Sequence, residues 1–130
     1  MYDETTQSIR VSVKPIYLED QSAPDEDHFV WAYQVRIENQ GEETVQLINR
    51  YWQITDSLGR VQEVRAPGVV GEQPTLRPGE AFEYTSGTPL PTPSGIMVGA
   101  YEMKGVDGRH FDVAVPAFSL DSPHQPVRLN

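Results

Sequence analysis

The residues best suited to chemistry in this 130-residue chain lie between Arg65 and Gly87, R-A-P-G-V-V-G-E-Q-P-T-L-R-P-G-E-A-F-E-Y-T-S-G. This stretch holds four of the ten glycines and three of the eleven prolines. Gly68-Val69-Val70-Gly71 sets two glycines around two apolar residues, where a plain loop would be polar. A glycine-rich turn can cradle a pyrophosphate when a strand precedes it and a helix follows, because the helix N-terminus supplies amide donors and a dipole. Here Glu72-Gln73-Pro74 and then Pro78-Gly79 follow, so no helix can start in register. Ala66 takes the place of the glycine that would make the tight turn. No Gly-Lys-Ser or Gly-Lys-Thr is present, which removes the other common phosphate loop. A backbone nest for an anion stays open, with Arg65 and Arg77 nearby in sequence.

Two other readings of the same loop carry more weight. In the first, it caps one end of a β-sandwich, with Val69 and Val70 tucked into the core and the glycines permitting the turns. In the second, Val69 and Val70 point outward as an apolar knob rimmed by Arg65, Glu72 and Gln73, and a protein partner binds there. Tyr84, Met97, Tyr101 and Met103 either extend that knob or form ordinary core on the other sheet.

The remaining polar residues form no catalytic or metal pattern. His28, His110 and His124 lack ligand-like spacing. Asp25-Glu26-Asp27 lacks the alternating ligands and turn glycine of a calcium loop. There is no cysteine and no G-x-S-x-G elbow, and Ser86 has no base assigned by pattern. The expectation is no enzyme, no metal and no cofactor.

Nineteen acidic against ten basic residues give a formal net charge of −9. Binding a phosphate backbone needs clustered Lys and Arg, and the bases here are scattered. Nucleic acid and anionic membranes are therefore poor partners. The N-terminus M-Y-D-E-T-T-Q-S lacks the basic-then-apolar pattern of a signal peptide. No run approaches the roughly 18 apolar residues of a membrane span. A cytoplasmic protein is expected.

The elements that must position the loop read as strands. Ile9, Val11 and Val13 alternate with Arg10, Ser12 and Lys14, and Pro15 puts that strand at an edge or a bulge. Phe29, Trp31, Tyr33, Val35 and Ile37 alternate with polar or smaller partners. Asn39-Gln40-Gly41-Glu42 has tight-turn composition. From Thr44 to Thr55 the apolar phase shifts near Leu47-Ile48, which predicts a bulge or a change of sheet. Asp56-Ser57-Leu58-Gly59 turns the chain before Val61 and Val64. Phe82 and Tyr84, Ile96–Met103 and Phe111–Val115 supply three more strands. A proline-rich link precedes Ile96, and an Asp107-Gly108 hairpin turn separates the last two. No helical period persists to a cap. The pattern predicts an all-β immunoglobulin or fibronectin type III-like β-sandwich of seven or eight strands. Trp31 and Trp52 should sit at its centre. One domain is expected over residues 1–122, with a flexible tail over 123–130.

In its motifs the chain resembles the ApaG family. The matching blocks are R-Y-W-Q-I-T-D-S-L-G (Arg50–Gly59), G-V-V-G-E-Q-P (Gly68–Pro74), P-G-E-A-F-E-Y-T-S-G (Pro78–Gly87), G-I-M-V-G-A-Y-E-M (Gly95–Met103) and V-P-A-F-S-L (Val115–Leu120). The resemblance implies a fibronectin type III-like sandwich and no established catalysis. In bacteria the family is encoded beside a diadenosine tetraphosphatase and linked to cobalt and magnesium tolerance. Related eukaryotic domains look like protein-recognition modules. The family often shows G-x-G-x-x-G, from which pyrophosphate binding has been proposed; here Ala66 replaces the first glycine, and Tyr51 replaces the usual histidine.

The functional expectation is a non-enzymatic binding module with a protein partner, contacting it through Arg65, Gly68, Val69, Val70, Gly71, Glu72, Gln73 and Arg77. The alternative is a nucleotide polyphosphate, with or without Mg²⁺, held by the same loop. An open sheet edge could also support a homodimer.

Overall fold

Why these residues form strands is plain in the third one, where every second side chain is apolar. The computed structural model describes residues 1–124 and turns that alternation into two facing antiparallel sheets. The first contains β1 (Tyr2–Thr6), β2 (Ile9–Tyr17), β3 (Phe29–Asn39) and β7 (Ala81–Leu90), in the order β1-β2-β3-β7. The second contains β4 (Val45–Asp56), β5 (Val61–Pro67), β8 (Gly95–Gly105) and β9 (His110–Leu120), in the order β5-β4-β8-β9. The two-residue β6 (Thr75–Leu76) pairs with β4 on the side of β5. Two single-turn 3-10 helices, Glu19–Gln21 and Pro24–Glu26, join β2 to β3. Among the described residues no helix is long and apolar enough to cross a membrane.

The described strands number nine, where seven or eight are expected from sequence. The extra ones, β1 and β6, carry no apolar alternation. β1 is a polar segment that pairs with the edge of β2. Its hairpin turns at Gln7-Ser8, both at positive φ with neither glycine nor asparagine present to announce the turn. The strand around Phe82 and Tyr84 is also longer than expected and takes in Pro89 of the proline-rich link. β7 ends its sheet, so Pro89 costs no ladder bond on the open side.

Other local expectations are met. The β4 register shifts between Leu47 and Asn49, a bulge at Ile48. Pro15 pairs with Tyr33, but β1 reaches only as far as Val13, so Pro15 lies on a bare edge. Asn39–Glu42 is not a hairpin, however: it carries the chain from the first sheet to the second. The Asn39 amide holds this arch, donating to the carbonyls of Glu43 (2.8 Å) and Leu76 (3.0 Å) and accepting from the Gly41 amide (3.0 Å). Turn composition records where a chain bends, not which strand it then pairs with.

The core lies between the sheets. Phe29, Trp31, Tyr33, Val35 and Ile37 of β3 are all buried. Trp52 makes edge contacts with Tyr33 (5.4 Å between ring centres), Tyr101 (6.2 Å) and Phe118 (6.1 Å), geometry favoured by the ring quadrupoles. Trp31 donates its indole N–H to the Asp121 carbonyl at 2.8 Å, which ties the end of β9 to the core. Of the expected tail, His124 packs its ring near Tyr17 and Phe29, and residues 125–130 lie outside the described residues.

The sandwich has one closed side and one open side. On the closed side β1 meets β9: the Tyr2 and Phe118 rings lie 6.1 Å apart, and Thr6 Oγ1 accepts from the Ala114 amide at 3.2 Å. On the other side β7 and β5 are the terminal strands of their sheets, and a cleft opens between them.

Candidate functional site at the open seam

The loop after β5 is built by the edge of β4. Beyond Asn49, β5 stops pairing, and the chain steps out and back before rejoining β4 at β6. The bulged Ile48 anchors this detour: its carbonyl accepts from the Gly68 amide (2.9 Å) and from Gln73 Nε2 (2.9 Å). Gln46 Nε2 in turn donates to the Gln73 carbonyl at 3.1 Å. Between these anchors Val69 and Glu72 exchange both main-chain hydrogen bonds, each 2.8 Å. Val70 and Gly71 form the tip, with φ of 43° and 82°, the signs that a two-residue type I′ hairpin requires. Gly68, also at positive φ (64°), is needed for a second reason. A Cβ there would sit 2.3 Å from the Glu72 carbonyl oxygen.

The two valines, treated as a pair in the sequence, part company. Val69 is buried at 1 % exposure and caps the core; Val70 is 54 % exposed. A β-branched residue at positive φ is a genuine outlier, costing about 1–2 kcal/mol. Asparagine tolerates this conformation far better. Val70→Asn is therefore expected to stabilise the protein by about 1 kcal/mol in urea unfolding, a gain that an unstrained tip would not show.

The other expected site residues do not converge on the hairpin. Arg65 lies on the outer face of the second sheet, its guanidinium 4.3 Å above the Tyr51 ring and 3.6 Å from Glu63. Arg77 belongs to the turn after β6, where it pairs with Glu80 at 3.4 Å. Tyr84, Met97, Tyr101 and Met103 are core and do not extend the knob. His110 Nδ1 lies 2.9 Å from Glu102, which also accepts from Asn49 at 2.6 Å; those bonds, Asn49 first, hold the Glu102 carboxyl below its usual range. Among the described residues no group of three or more His, Asp or Glu side chains converges as for a metal ion.

Val69 and Val70 close one end of the seam cleft, which has a volume of about 350 Å³. Tyr33, Tyr84 and Ser86 line one wall, and Arg50 the other. Arg50 faces inward because the bulge at Ile48 puts it in phase with Trp52 and Ile54 and opposite Tyr101. Its Nη1 donates to the carbonyls of Pro67 (3.2 Å) and Gly68 (2.9 Å), pinning the base of the hairpin. The hydroxyls of Tyr84 and Tyr101 are hydrogen-bonded to each other. Burial raises the pKa of Tyr33, Tyr84 and Tyr101, and the Arg50 charge opposes the rise in each. The sequence-level reading passed over Arg50. The available signal was a charged residue at an inward position of an otherwise apolar strand face.

Two antiparallel sheets packed face to face in this order, with a structured loop beside one open seam, define a fibronectin type III-like sandwich. The ApaG domain model matches residues 19–105. Protein ApaG of Paramagnetospirillum magneticum is 70 % identical over 130 residues, the whole of both chains, and that of Rhodospirillum centenum matches equally well. A crystal structure described as the ApaA protein of Bordetella pertussis shares 50 % identity with a TM-score of 0.86, over 95 % of this chain and 97 % of that one. The chain belongs to the ApaG family.

Proposed function

We propose that this protein is a non-enzymatic, cytoplasmic recognition module that binds another protein through the hairpin of Gly68–Gln73. The observation that carries the reading is Val70. It is an exposed apolar side chain held at positive φ where asparagine or glycine would be easier. Strain retained at an exposed position is a reason to look for a contact made there. Glu72 and Gln73 flank the tip with polar groups, as a small interface core needs.

The nucleotide alternative draws less support. A nest needs several converging free amides, and those of Gly68, Val69 and Glu72 are already donating to carbonyls. Arg65 and Arg77 each have a carboxylate partner and point elsewhere.

Val70→Asp tests the reading. A photo-crosslinker at the exposed Glu72, beside the tip, should trap a discrete protein in cell extract, and one at Ser119 on β9 should not. Val70→Asp added to the Glu72 crosslinker chain should remove capture without lowering the urea midpoint. Capture that survives the substitution sinks the assignment. Val69→Asp is no substitute test, because a buried valine would report on folding.

A further inference from the structure

We infer that the open-seam cleft is a carboxylate-binding site with Arg50 as its anchor. This inference does not depend on what the Val70 tip contacts. The chain has nearly twice as many acids as bases. The other described arginines have each found a carboxylate: Arg10, Arg36, Arg60, Arg65, Arg77 and Arg109 all lie within 3.6 Å of one. Arg50 alone among the described arginines makes no such pair, although 19 acids were available. It faces into a cleft walled by tyrosine and serine hydroxyls.

Its donor count leaves room for a ligand. Both hydrogen bonds to the hairpin come from Nη1, so the Nε and Nη2 fork remains for a bidentate partner. The phenols add a further donor. The Tyr84–Tyr101 pair uses one of its two protons in the bond between them. Both phenols are held neutral at ordinary pH, so the cleft carries a single positive charge. A carboxylate neutralises that charge. A dianionic phosphate would leave one negative charge in the seam of a chain already at −9. The volume of about 350 Å³ suits a small acid or one acidic side chain.

The test follows the side-chain Nε–H signal of Arg50 by NMR while propionate, a monoanion, is titrated at constant ionic strength. A saturable shift of Arg50, with the Ser86 amide moving in step, is expected. Arg50→Gln, followed at the Ser86 amide, should weaken binding about tenfold or more. Because Arg50 also pins the hairpin, Ser86→Asp provides an independent variant: its carboxylate is expected to pair with Arg50 across the cleft that both residues line, raise Tm and block propionate. The site is overturned if propionate leaves Arg50 unshifted, or if Ser86→Asp lowers Tm and leaves the propionate response intact. Inorganic phosphate binding more tightly than propionate overturns the ligand class. Two capped peptides, Gly-Glu-Gly and Gly-Gln-Gly, separate the sources. Binding of the Glu peptide assigns the site to a partner's acidic side chain, and binding of propionate alone assigns it to a free acid.

Discussion

Gly99→Ala is expected to cost the protein about 3 kcal/mol or more. Gly99 lies opposite Trp52, just after a register shift in β8. A Cβ on Gly99 would sit 2.2 Å from the Tyr51 carbonyl oxygen and 2.8 Å from the Trp52 ring. Neither neighbour is the loose end of a flexible side chain. One is the backbone of a central strand, and the other is the indole that holds Tyr33, Tyr101 and Phe118 together. To admit the methyl, β8 must move off β4 or the indole must leave its cluster. Urea unfolding should show the loss, and the near-UV circular dichroism of the tryptophans should change with it. Gly71→Ala is the control. Unlike Gly99 it sits at positive φ, but its Cβ would have open space around it, so it should cost only about 1 kcal/mol. Equal losses at the two positions would refute the steric account.

Alkaline pH should destabilise the fold steeply, for a reason located in the same core. Burial raises the pKa of Tyr84, Tyr101 and Tyr33. In the unfolded chain these phenols lose their protons near pH 10. Between that pH and the higher values of the folded state, the unfolded chain binds fewer protons than the folded one, so stability falls as pH rises. The contribution is complete below pH about 10 and is lost as pH climbs through the folded values. Each fully retained proton contributes about 1.4 kcal/mol per pH unit, so Tyr84 and Tyr101, whose pKa values rise most, together approach about 3 kcal/mol per unit. Urea midpoints measured from pH 8 to 11.5 would record it. Tyr84→Phe should reduce the slope by roughly a third to a half, and a flat profile between pH 10 and 11 would rule out a buried, neutral phenol cluster.

The strained Val70 tip and the inward Arg50 meet at one place, the open seam. Val69 plugs the core, Val70 projects from it, and Arg50 ties the hairpin base to β4. A ligand in the cleft would bear directly on the residue that positions the tip. The two proposals, protein contact at the hairpin and carboxylate binding below it, are told apart by Val70→Asp and Ser86→Asp.

What the sequence determined by itself was local. Alternation over Phe29–Ile37 placed five side chains in the core, because a strand has a period of two whatever it packs against. The phase break at Leu47-Ile48 marked a bulge, and Asp107-Gly108 marked a hairpin, since both are properties of a few consecutive residues. The two tryptophans were legible as core for the same reason. The family was legible from ordered motifs. Other features rest on partners distant in the chain. β1 exists because β2 offers an edge. Gly99 is glycine because Trp52, far off in sequence, needs its space. Val69 and Val70, neighbours of one type, take opposite environments because a positive-φ turn between them faces one to the core and the other to solvent. Arg50 becomes a candidate anchor only when two sheets close on one side, part on the other and leave its charge without a carboxylate. Composition supplies the charges and the apolar groups. Only the packing of the sheets decides which of them end up facing each other.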